Sequence, residues 1–208
     1  RTGTIHSLLH GGIAPAMAWP SNGKAFGSTG AYFDGTGDWL TIADSDDLDW
    51  GTGDFTIDFW VYMPTVPGNY YVCGMYAGGY GGLQFHSAAV YWYTGSGASV
   101  TFAWSSWVAN TWHHVALARS GTDLKFFVDG TQRGSTVTSH THDYSAGSTF
   151  YIGTFNETVP FLGYIDNFRI SKGIARYTAN FTPETALYGA NLSQTIPTIT
   201  FTGTATQL

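Results

Sequence analysis

One carboxylate, Asp166, falls on an apolar face of a predicted strand. Read with a period of two, 162-LGYIDNFRIS-171 aligns it with Tyr164, Phe168 and Ile170. A carboxylate in such surroundings needs hydrogen bonds, a Lys or Arg partner, or a bound cation. The sequence leaves two interpretations open, namely a ligand of a structural cation, or a side chain that caps a turn or bonds to the neighbouring strand.

Polar and aromatic side chains also share a face on the strand predicted over 54-DFTIDFWVYM-63. Sugars present C–H faces that stack on aromatic rings, while nearby carboxylates and amides bind the hydroxyl groups. Binding sites of this kind combine apolar surface with a few convergent polar groups. The candidate ligand-binding residues are Asp58, Trp60, Tyr62, Tyr91, Tyr93 and Trp104. The alternative is that these rings fill contacts with the second sheet or with another subunit.

Glycoside hydrolysis would need two carboxyl groups about 5–10 Å apart across a cleft. Asp54 and Asp58 form the one same-face acidic pair of interest. At about 3.3 Å per strand residue, they are separated by roughly 13 Å, which is too far for either glycosidase geometry. We therefore expect no catalytic residues and predict that the protein is not an enzyme.

The composition of the chain argues against further classes of function. The chain has 208 residues and a net charge of -6, with only eight Lys and Arg residues. They form no basic patch, so nucleic-acid binding is not expected. No apolar run reaches the roughly 18 residues that span a bilayer. Cys73 is the one cysteine, so there is no internal disulfide, and we expect it to be a small core residue.

The pattern of elements predicts an all-β protein. Apolar residues alternate over 54–63, further strands are predicted at 89–94, 99–104 and 112–120, and turn signals lie between the strands. Strands that recur in this way are typical of an antiparallel sandwich. We divide the chain into an N-terminal extension over 1–29, one domain over 30–188, and a Thr-rich strand or arm over 189–208. A short helical turn is predicted at 172–177.

Four blocks in order resemble laminin-G-like jelly-roll domains of the concanavalin A-like lectin and glucanase superfamily. They are 32-YFDGTGDWLTIADSDDLDWGTGDFTIDFWVYM-63, 112-WHHVALARSGTDLKFFVDGTQRG-134, 150-FYIG-153 and 163-GYIDNFRISKGIARYTANFTP-183. The last block resembles versions in bacteriophage and microbial surface proteins. The resemblance implies a two-sheet antiparallel jelly-roll sandwich and recognition of carbohydrate or protein more often than catalysis. The Glu-x-Asp-x-x-Glu pattern of laminarinase-type glucanases is absent.

The resemblance also implies a Ca²⁺ ion that ties the last strand to an early loop. The loop 34-DGTGD-38 offers two carboxylates, a hydroxyl and glycine carbonyls. Ca²⁺ takes six to eight oxygen ligands at about 2.3–2.6 Å, backbone carbonyls included. We hypothesise a structural Ca²⁺ held by Asp34 and Asp166 with backbone oxygens, and Asp38 as a third candidate ligand.

These observations favour a non-catalytic recognition module in an extracellular or virion assembly. The expected partners are a glycan or host-surface receptor and other subunits of the assembly, with a homo-oligomer as one arrangement. Neither nucleic acid nor membrane insertion is expected. The first alternative is a virion structural or decoration protein whose jelly roll makes subunit contacts without binding sugar. The second is a glycoside hydrolase.

Overall fold

In the computed structural model, residues 3–5, 30–75, 81–95, 99–145, 147–155, 157–185 and 199–202 are described. They form β-strands and no helix. The strands are β1 (Gly3–Ile5), β2 (Ala31–Asp34), β3 (Trp39–Ile42), β4 (Phe55–Met63), β5 (Asn69–Met75), β6 (Gly81–His86), β7 (Ala89–Tyr93), β8 (Ser99–Ala103), β9 (Thr111–Ser120), β10 (Asp123–Val128), β11 (Thr131–Val137), β12 (Phe150–Ile152), β13 (Leu162–Lys172) and β14 (Ile199–Thr202).

The described strands build two antiparallel sheets, so the predicted all-β jelly-roll sandwich is confirmed. Sheet A has the order β1-β13-β4-β9-β10-β11, and β2 also pairs with β13. Sheet B has the order β14-β3-β12-β5-β6-β7-β8. The short strands at the two ends of the chain, β1 and β14, are both edge strands, and β14 pairs with β3.

The core lies between the sheets, and alternation along each strand supplies it. In β4, Phe55, Ile57 and Phe59 belong to the main apolar cluster and are fully buried. In β7 of sheet B, Val90 and Trp92 belong to the same cluster and are also fully buried. This follows from the period of two, because every second side chain points to the same face. Cys73 is also fully buried, as expected, and burial raises the pKa of its thiol.

A β-bulge in β13 overturns the predicted face of Asp166. The pairing of β13 with β4 shifts between Asp166 and Arg169, and Asn167 adopts a left-handed φ of 52°. Asn tolerates this conformation better than most residues. The extra residue reverses the alternation, so Asp166 pairs with Trp60 on the outer face while Phe168 lies in the core. A strict period of two cannot anticipate such an insertion.

Two other expectations about elements are wrong. The helical turn predicted at 172–177 is not formed: Lys172 ends β13, and residues 174–177 have no regular secondary structure. This segment is held to β4, where the Thr56 hydroxyl donates to the Ile174 carbonyl at 2.9 Å. Arg176 N–H donates back to the same hydroxyl oxygen at 2.9 Å. The strand β11 was not expected, because its sequence TQRGSTV lacks apolar alternation. Among the described residues, no helix is long and apolar enough to cross a membrane.

Candidate functional site

The outer face of sheet A carries three of the six predicted ligand-binding residues, and a buried ion pair lies at its centre. Asp58 is fully buried and accepts two hydrogen bonds from Arg169, at 2.9 Å from Nε and 2.6 Å from Nη2. Such a two-point contact between guanidinium and carboxylate is among the strong hydrogen bonds of proteins. The Tyr177 hydroxyl donates to the same carboxylate at 3.1 Å. We call this surface the ion-pair face.

Several groups stabilise the ionised form of Asp58. Burial alone would raise the pKa of its carboxyl group, but the hydrogen bonds from His114 and Arg169 outweigh burial and hold it below its usual value. The His114 imidazole lies 3.6 Å from the carboxylate. Over the pair lies the covering segment, residues 174–181, in which Tyr177 stacks on Phe181 with ring centroids 3.7 Å apart. Asp58 is therefore an internal counter-ion.

The two aromatic residues predicted beside Asp58 are packed on the same face. Trp60 is 1% exposed and Tyr62 is 8% exposed. They form a cluster with Trp112, against which Tyr164 packs. The Tyr62 hydroxyl donates to Asn110 Oδ1 at 3.0 Å. The rings on this face therefore pack mainly against each other.

The register of β13 with β2 sets the distance between two of the carboxylates predicted to bind Ca²⁺. Asp34 pairs with Leu162, whereas Ile165, the residue before Asp166, pairs with Ala31. Asp166 therefore lies four positions along β13 from Leu162, which is roughly 13 Å at about 3.3 Å per residue. Two ligands of one ion lie within about 2.6 Å of it. The structure thus does not bring these two residues together, and Ca²⁺ binding by them stays a prediction.

The three carboxylates instead have local roles. Asp34 Oδ1 accepts hydrogen bonds from the Thr36 amide at 2.6 Å and the Thr36 hydroxyl at 2.9 Å. Asp38 Oδ2 accepts one from the Asp34 amide at 3.2 Å, which closes the turn between β2 and β3. Asp166 Oδ1 accepts one from the Asn167 amide at 2.7 Å. No group of three or more metal-ligating side chains occurs in the described parts of the chain.

Asp166 is the least satisfied of these carboxylates. It is 1% exposed, and its Oδ2 has no hydrogen-bond partner among the described residues. Burial raises the pKa of Asp166 to about 7, and the hydrogen bond from the Asn167 amide offsets only part of this effect. The Asp166 carboxylate is thus bonded within its own strand, and the sequence interpretations of a turn cap or a bond to the neighbouring strand do not describe this contact.

The outer face of sheet B carries two more predicted residues, Tyr91 and Tyr93, on strand β7. Both are partly exposed, and their ring centroids lie 6.4 Å apart. Tyr71 on β5 joins them, 5.6 Å from the ring of Tyr93. Gln84 lies on β6 between Tyr71 and Tyr91 and pairs with both. We call this surface the tyrosine face.

Phe155, from the loop after β12, completes an aromatic platform on the tyrosine face. Its ring is stacked on Tyr71 at 4.9 Å and 17°, and on Tyr93 at 6.4 Å and 25°. The ring lies on two paired glycines, Gly74 and Gly82, where a Cβ atom would come within 3.2 Å and 2.9 Å of it. The absence of side chains at these two positions therefore makes room for the platform.

Amide groups line the platform. The Tyr93 hydroxyl donates to Gln84 Oε1 at 2.8 Å, and Gln84 Nε2 donates to Asn69 Oδ1. These bonds fix the orientation of the Gln84 amide between two tyrosines. Burial and the neighbouring Tyr93 hydroxyl raise the pKa of Tyr71, so it stays neutral. Gln84 is 6% exposed, so the face combines partly exposed rings with an oriented amide held beneath them.

The predicted residues therefore do not form one site. Asp58, Trp60 and Tyr62 lie on the outer face of sheet A, and Tyr91 and Tyr93 lie on the outer face of sheet B, across the core. Trp104, which follows β8, packs partly against the core with the Arg133 guanidinium 4.0 Å above its ring.

Four residues of the tyrosine face were not identified from the sequence, namely Asn69, Tyr71, Gln84 and Phe155. The signal that could have found the platform is the glycine pair Gly81 and Gly82, which lies within β6. A glycine inside a strand often marks a close approach of another group.

Comparison with known families gives one match over most of the chain. A laminin G family model of the concanavalin A-like lectin/glucanases superfamily matches residues 34–175. The match includes β3 to β13, and with them both sheets and both outer faces. No curated protein sequence matches this chain.

Solved structures share the fold at low sequence identity. Domains LG4-5 of the mouse laminin alpha1 chain match with a TM-score of 0.56 and 16% identity, over 75% of this chain and 44% of theirs. Domain 4 of AbnA, an extracellular arabinanase from Geobacillus stearothermophilus, in complex with arabinotriose, matches with a TM-score of 0.59 and 17% identity, over 73% and 75%. The binding domain of botulinum neurotoxin serotype D matches with a TM-score of 0.56 and 12% identity, over 76% and 41%. This chain spans less than half of the laminin and toxin structures.

Proposed function

Because the chain belongs to the concanavalin A-like lectin/glucanases superfamily, we propose that it is a non-catalytic recognition module that binds carbohydrate on its tyrosine face. One observation carries the proposal: the Phe155 ring stacks at 17° on Tyr71 and at 25° on Tyr93, and this platform lies beside the oriented amide of Gln84. This arrangement supplies both kinds of contact that a sugar ring needs.

The chemistry of the platform suits a sugar. Pyranose and furanose rings present C–H groups on one face, and these pack on exposed aromatic rings through apolar contact. The hydroxyl groups at the edge of the sugar ring then reach amide and phenol groups that can donate or accept. Because the Gln84 amide is already held by Tyr93, little side-chain entropy is lost when a sugar binds.

The structural relatives support a binding role in general. The AbnA domain was solved with arabinotriose, and the toxin relative is a binding domain. Identities of 17% and 12% establish a shared fold and transfer no ligand. The proposal for this chain therefore depends on its own tyrosine face.

Catalysis is not part of the proposal. A glycosidase needs a carboxyl group that touches the glycosidic oxygen. Asp58, the acidic residue considered for this role, is fully buried and paired with Arg169. Calcium is not part of it either, because the register separates Asp34 from Asp166. We propose an extracellular or virion-surface setting, with a glycan or a host-surface receptor as partner.

A panel of immobilised neutral and acidic oligosaccharides tests the proposal. We expect the wild-type chain to bind at least one glycan, and Tyr71→Ala and Tyr93→Ala to lower its affinity at least tenfold. The control is Tyr32→Ala, because Tyr32 is 40% exposed and lies on the outer face of sheet A. Equal loss with the control, or no glycan bound, would remove the basis of the proposal.

A second candidate function is contact between subunits of an assembly, virion or other. It is favoured by Tyr32, whose half-exposed ring packs on Tyr164 at 4.8 Å on the ion-pair face. Light scattering measures this directly. An oligomer that Tyr32→Ala dissociates, with no glycan bound by the wild type, would favour assembly over recognition.

A further inference from the structure

We infer that the ligand of the tyrosine face is an uncharged oligosaccharide that lies across the strands of sheet B. This inference rests on the proposed function and adds the class and the direction of the ligand. It follows from the chemistry of the outward side chains and from their register.

The outward side chains of β5 to β8 recognise hydroxyl groups and C–H faces. By alternation and register the polar and aromatic ones are Asn69, Tyr71, Gln84, His86, Tyr91, Tyr93, Ser99 and Thr101, and Ala89 and Ala103 lie on the same face. The polar and aromatic ones are phenols, amides or hydroxyls except His86, an imidazole whose ring lies 6.1 Å from that of Tyr91. Carboxylate and sulfate groups are usually bound by Arg or Lys, which this set of strands does not present outward.

The charges that border the face lie at its two sides. Glu157, an exposed residue, lies near enough to Tyr151 on β12 that its charge helps to raise the pKa of that phenol. On the opposite side, the Arg133 guanidinium lies over Trp104, which follows β8. The connections 76–80 and 96–98 contain no charged residue in their sequences, and the chain as a whole has a net charge of -6. An anionic group bound beside the tyrosines would therefore lose its hydration without gaining a cationic partner there.

Strand register gives the direction. Tyr71 pairs with Gln84, Gln84 with Tyr91, and Tyr91 with Thr101, so four outward residues form one row from β5 to β8. At about 4.8 Å between neighbouring strands, three spacings make the row roughly 14 Å long. This length accommodates several linked sugar units, whereas a single ring would cover only part of it.

A second row lies beside the first and bears the platform. Tyr151 pairs with Gly74, Gly74 with Gly82, and Gly82 with Tyr93. The two glycines leave the space that the Phe155 ring fills. An oligosaccharide along the first row would therefore pass over Tyr71 and beside Phe155 and Tyr93, so that successive units meet aromatic and amide groups in turn.

The experiment compares charge and length by titration calorimetry. The probes are neutral linear arabinan, xylan, glucan, galactan and mannan oligosaccharides of two to six units, and the same chains bearing carboxylate or sulfate groups. We expect the best neutral tetrasaccharide to bind at least tenfold more tightly than its disaccharide and its charged forms. Its affinity should change less than twofold between 50 and 500 mM NaCl.

Variants test the direction and the charge separately. Thr101 is exposed at the far end of the first row, so Thr101→Ala should weaken the tetrasaccharide several-fold and leave the disaccharide unchanged. Gln84→Lys should favour the sulfated chain over the neutral one, and Tyr32→Lys on the other face should not. Comparison of Gln84→Lys with Tyr32→Lys shows whether the lack of a cation on the tyrosine face determines the preference for neutral chains.

Three outcomes distinguish the inference about the ligand from the proposed function. Preference for neutral, longer chains supports the inference. Equal or tighter binding of charged chains, abolished by Tyr93→Ala, overturns the inference and leaves carbohydrate recognition by the tyrosine face intact. Binding of no probe overturns the proposed function and the inference together.

Discussion

The two outer faces of the sandwich carry similar residues, which are buried on one face and partly exposed on the other. On the ion-pair face, Asp58 and Trp60 are buried under neighbouring groups, and the covering segment packs across Asp58. On the tyrosine face, Tyr91 and Tyr93 remain partly exposed beside an amide. Polar and aromatic alternation therefore indicates an outer face in both places, but exposure and pairing determine whether that face can bind.

The difference arises from residues far away in the sequence. Arg169 and Tyr177, more than 100 residues after Asp58, satisfy its carboxylate. Among the described residues, no distant Lys or Arg covers Tyr91, Tyr93 or Gln84 in this way. The ion-pair face is thus a stabilising element, and the tyrosine face is the surface that we propose for a ligand. Substitutions on either face test this difference.

The largest effect is expected for Asp58→Ala. It leaves Arg169 buried without its partner, which typically costs about 3–5 kcal/mol. Urea denaturation should show this loss in the free energy of unfolding. Asp34→Ala is the control, because Asp34 lies in an exposed turn and bonds only to nearby groups. A loss below about 1 kcal/mol for Asp58→Ala would mean that the ion-pair face does not hold the fold together.

Asp166→Asn is expected to stabilise the protein at high pH. The carboxyl pKa is raised to about 7 in the folded state from 3.8, so folding is favoured with the proton bound. The contribution is complete below the unfolded value and is lost as pH rises through about 7. At about 1.36 kcal/mol per unit, the gain at pH 8 is up to about 4 kcal/mol.

The pH dependence distinguishes this effect from a general change in packing. The melting temperatures of Asp166→Asn and wild type should agree near pH 3 and diverge as pH rises to 8, with the variant higher. Asp38→Asn, in the turn between β2 and β3, is the matched control. A variant that is less stable than wild type at pH 8 would indicate that the ionised Asp166 has a partner that stabilises it.

Gly82→Ala tests the platform. Its Cβ atom would lie 2.9 Å from the Phe155 ring, so the ring must shift. We expect glycan affinity to fall at least tenfold while the fold is retained, as measured by calorimetry and circular dichroism. Gly68→Ala is the control, because nothing lies within 4 Å of its Cβ position. Unchanged affinity for Gly82→Ala would place the ligand away from Phe155.

The smallest effect is expected for Tyr93→Phe. The ring stays, but the hydroxyl that donates to Gln84 at 2.8 Å is lost. A neutral hydrogen bond contributes about 0.5–1.5 kcal/mol, so affinity should fall about twofold to tenfold. Tyr62→Phe removes a hydroxyl from the other face and should leave affinity unchanged. Equal effects of the two variants would contradict the contrast between the faces.

Much of the fold was predictable from the sequence, because it depends on local alternation. The residues from Phe55 to Met63 show the core-facing pattern directly. The face of Asp166 was not predictable, since a single extra residue at Asn167 reverses every later side chain. Calcium ligation by Asp34 and Asp166 was predicted from the predicted apolar surroundings of Asp166 and from the resemblance, and a four-residue difference in register separates the two residues.

The candidate site was only half predictable. Tyr91 and Tyr93 follow from their strand, but Phe155 reaches the face from a loop and leaves no periodic signal. Burial of Asp58 depends on Arg169 and Tyr177, whose positions are set by tertiary pairing. Residues on one strand can thus be assigned to a face, whereas the partners that cover or complete that face cannot.

Chemical-shift mapping with the tightest-binding neutral tetrasaccharide tests the central claim most directly. In a ¹H–¹⁵N NMR titration, we expect the largest changes at the backbone amides of Tyr71, Gln84, Tyr91 and Tyr93, with those of Asp58 and Trp60 unchanged. Largest changes at Asp58 and Trp60, with the strands β5 to β7 unaffected, would contradict the assignment of recognition to the tyrosine face.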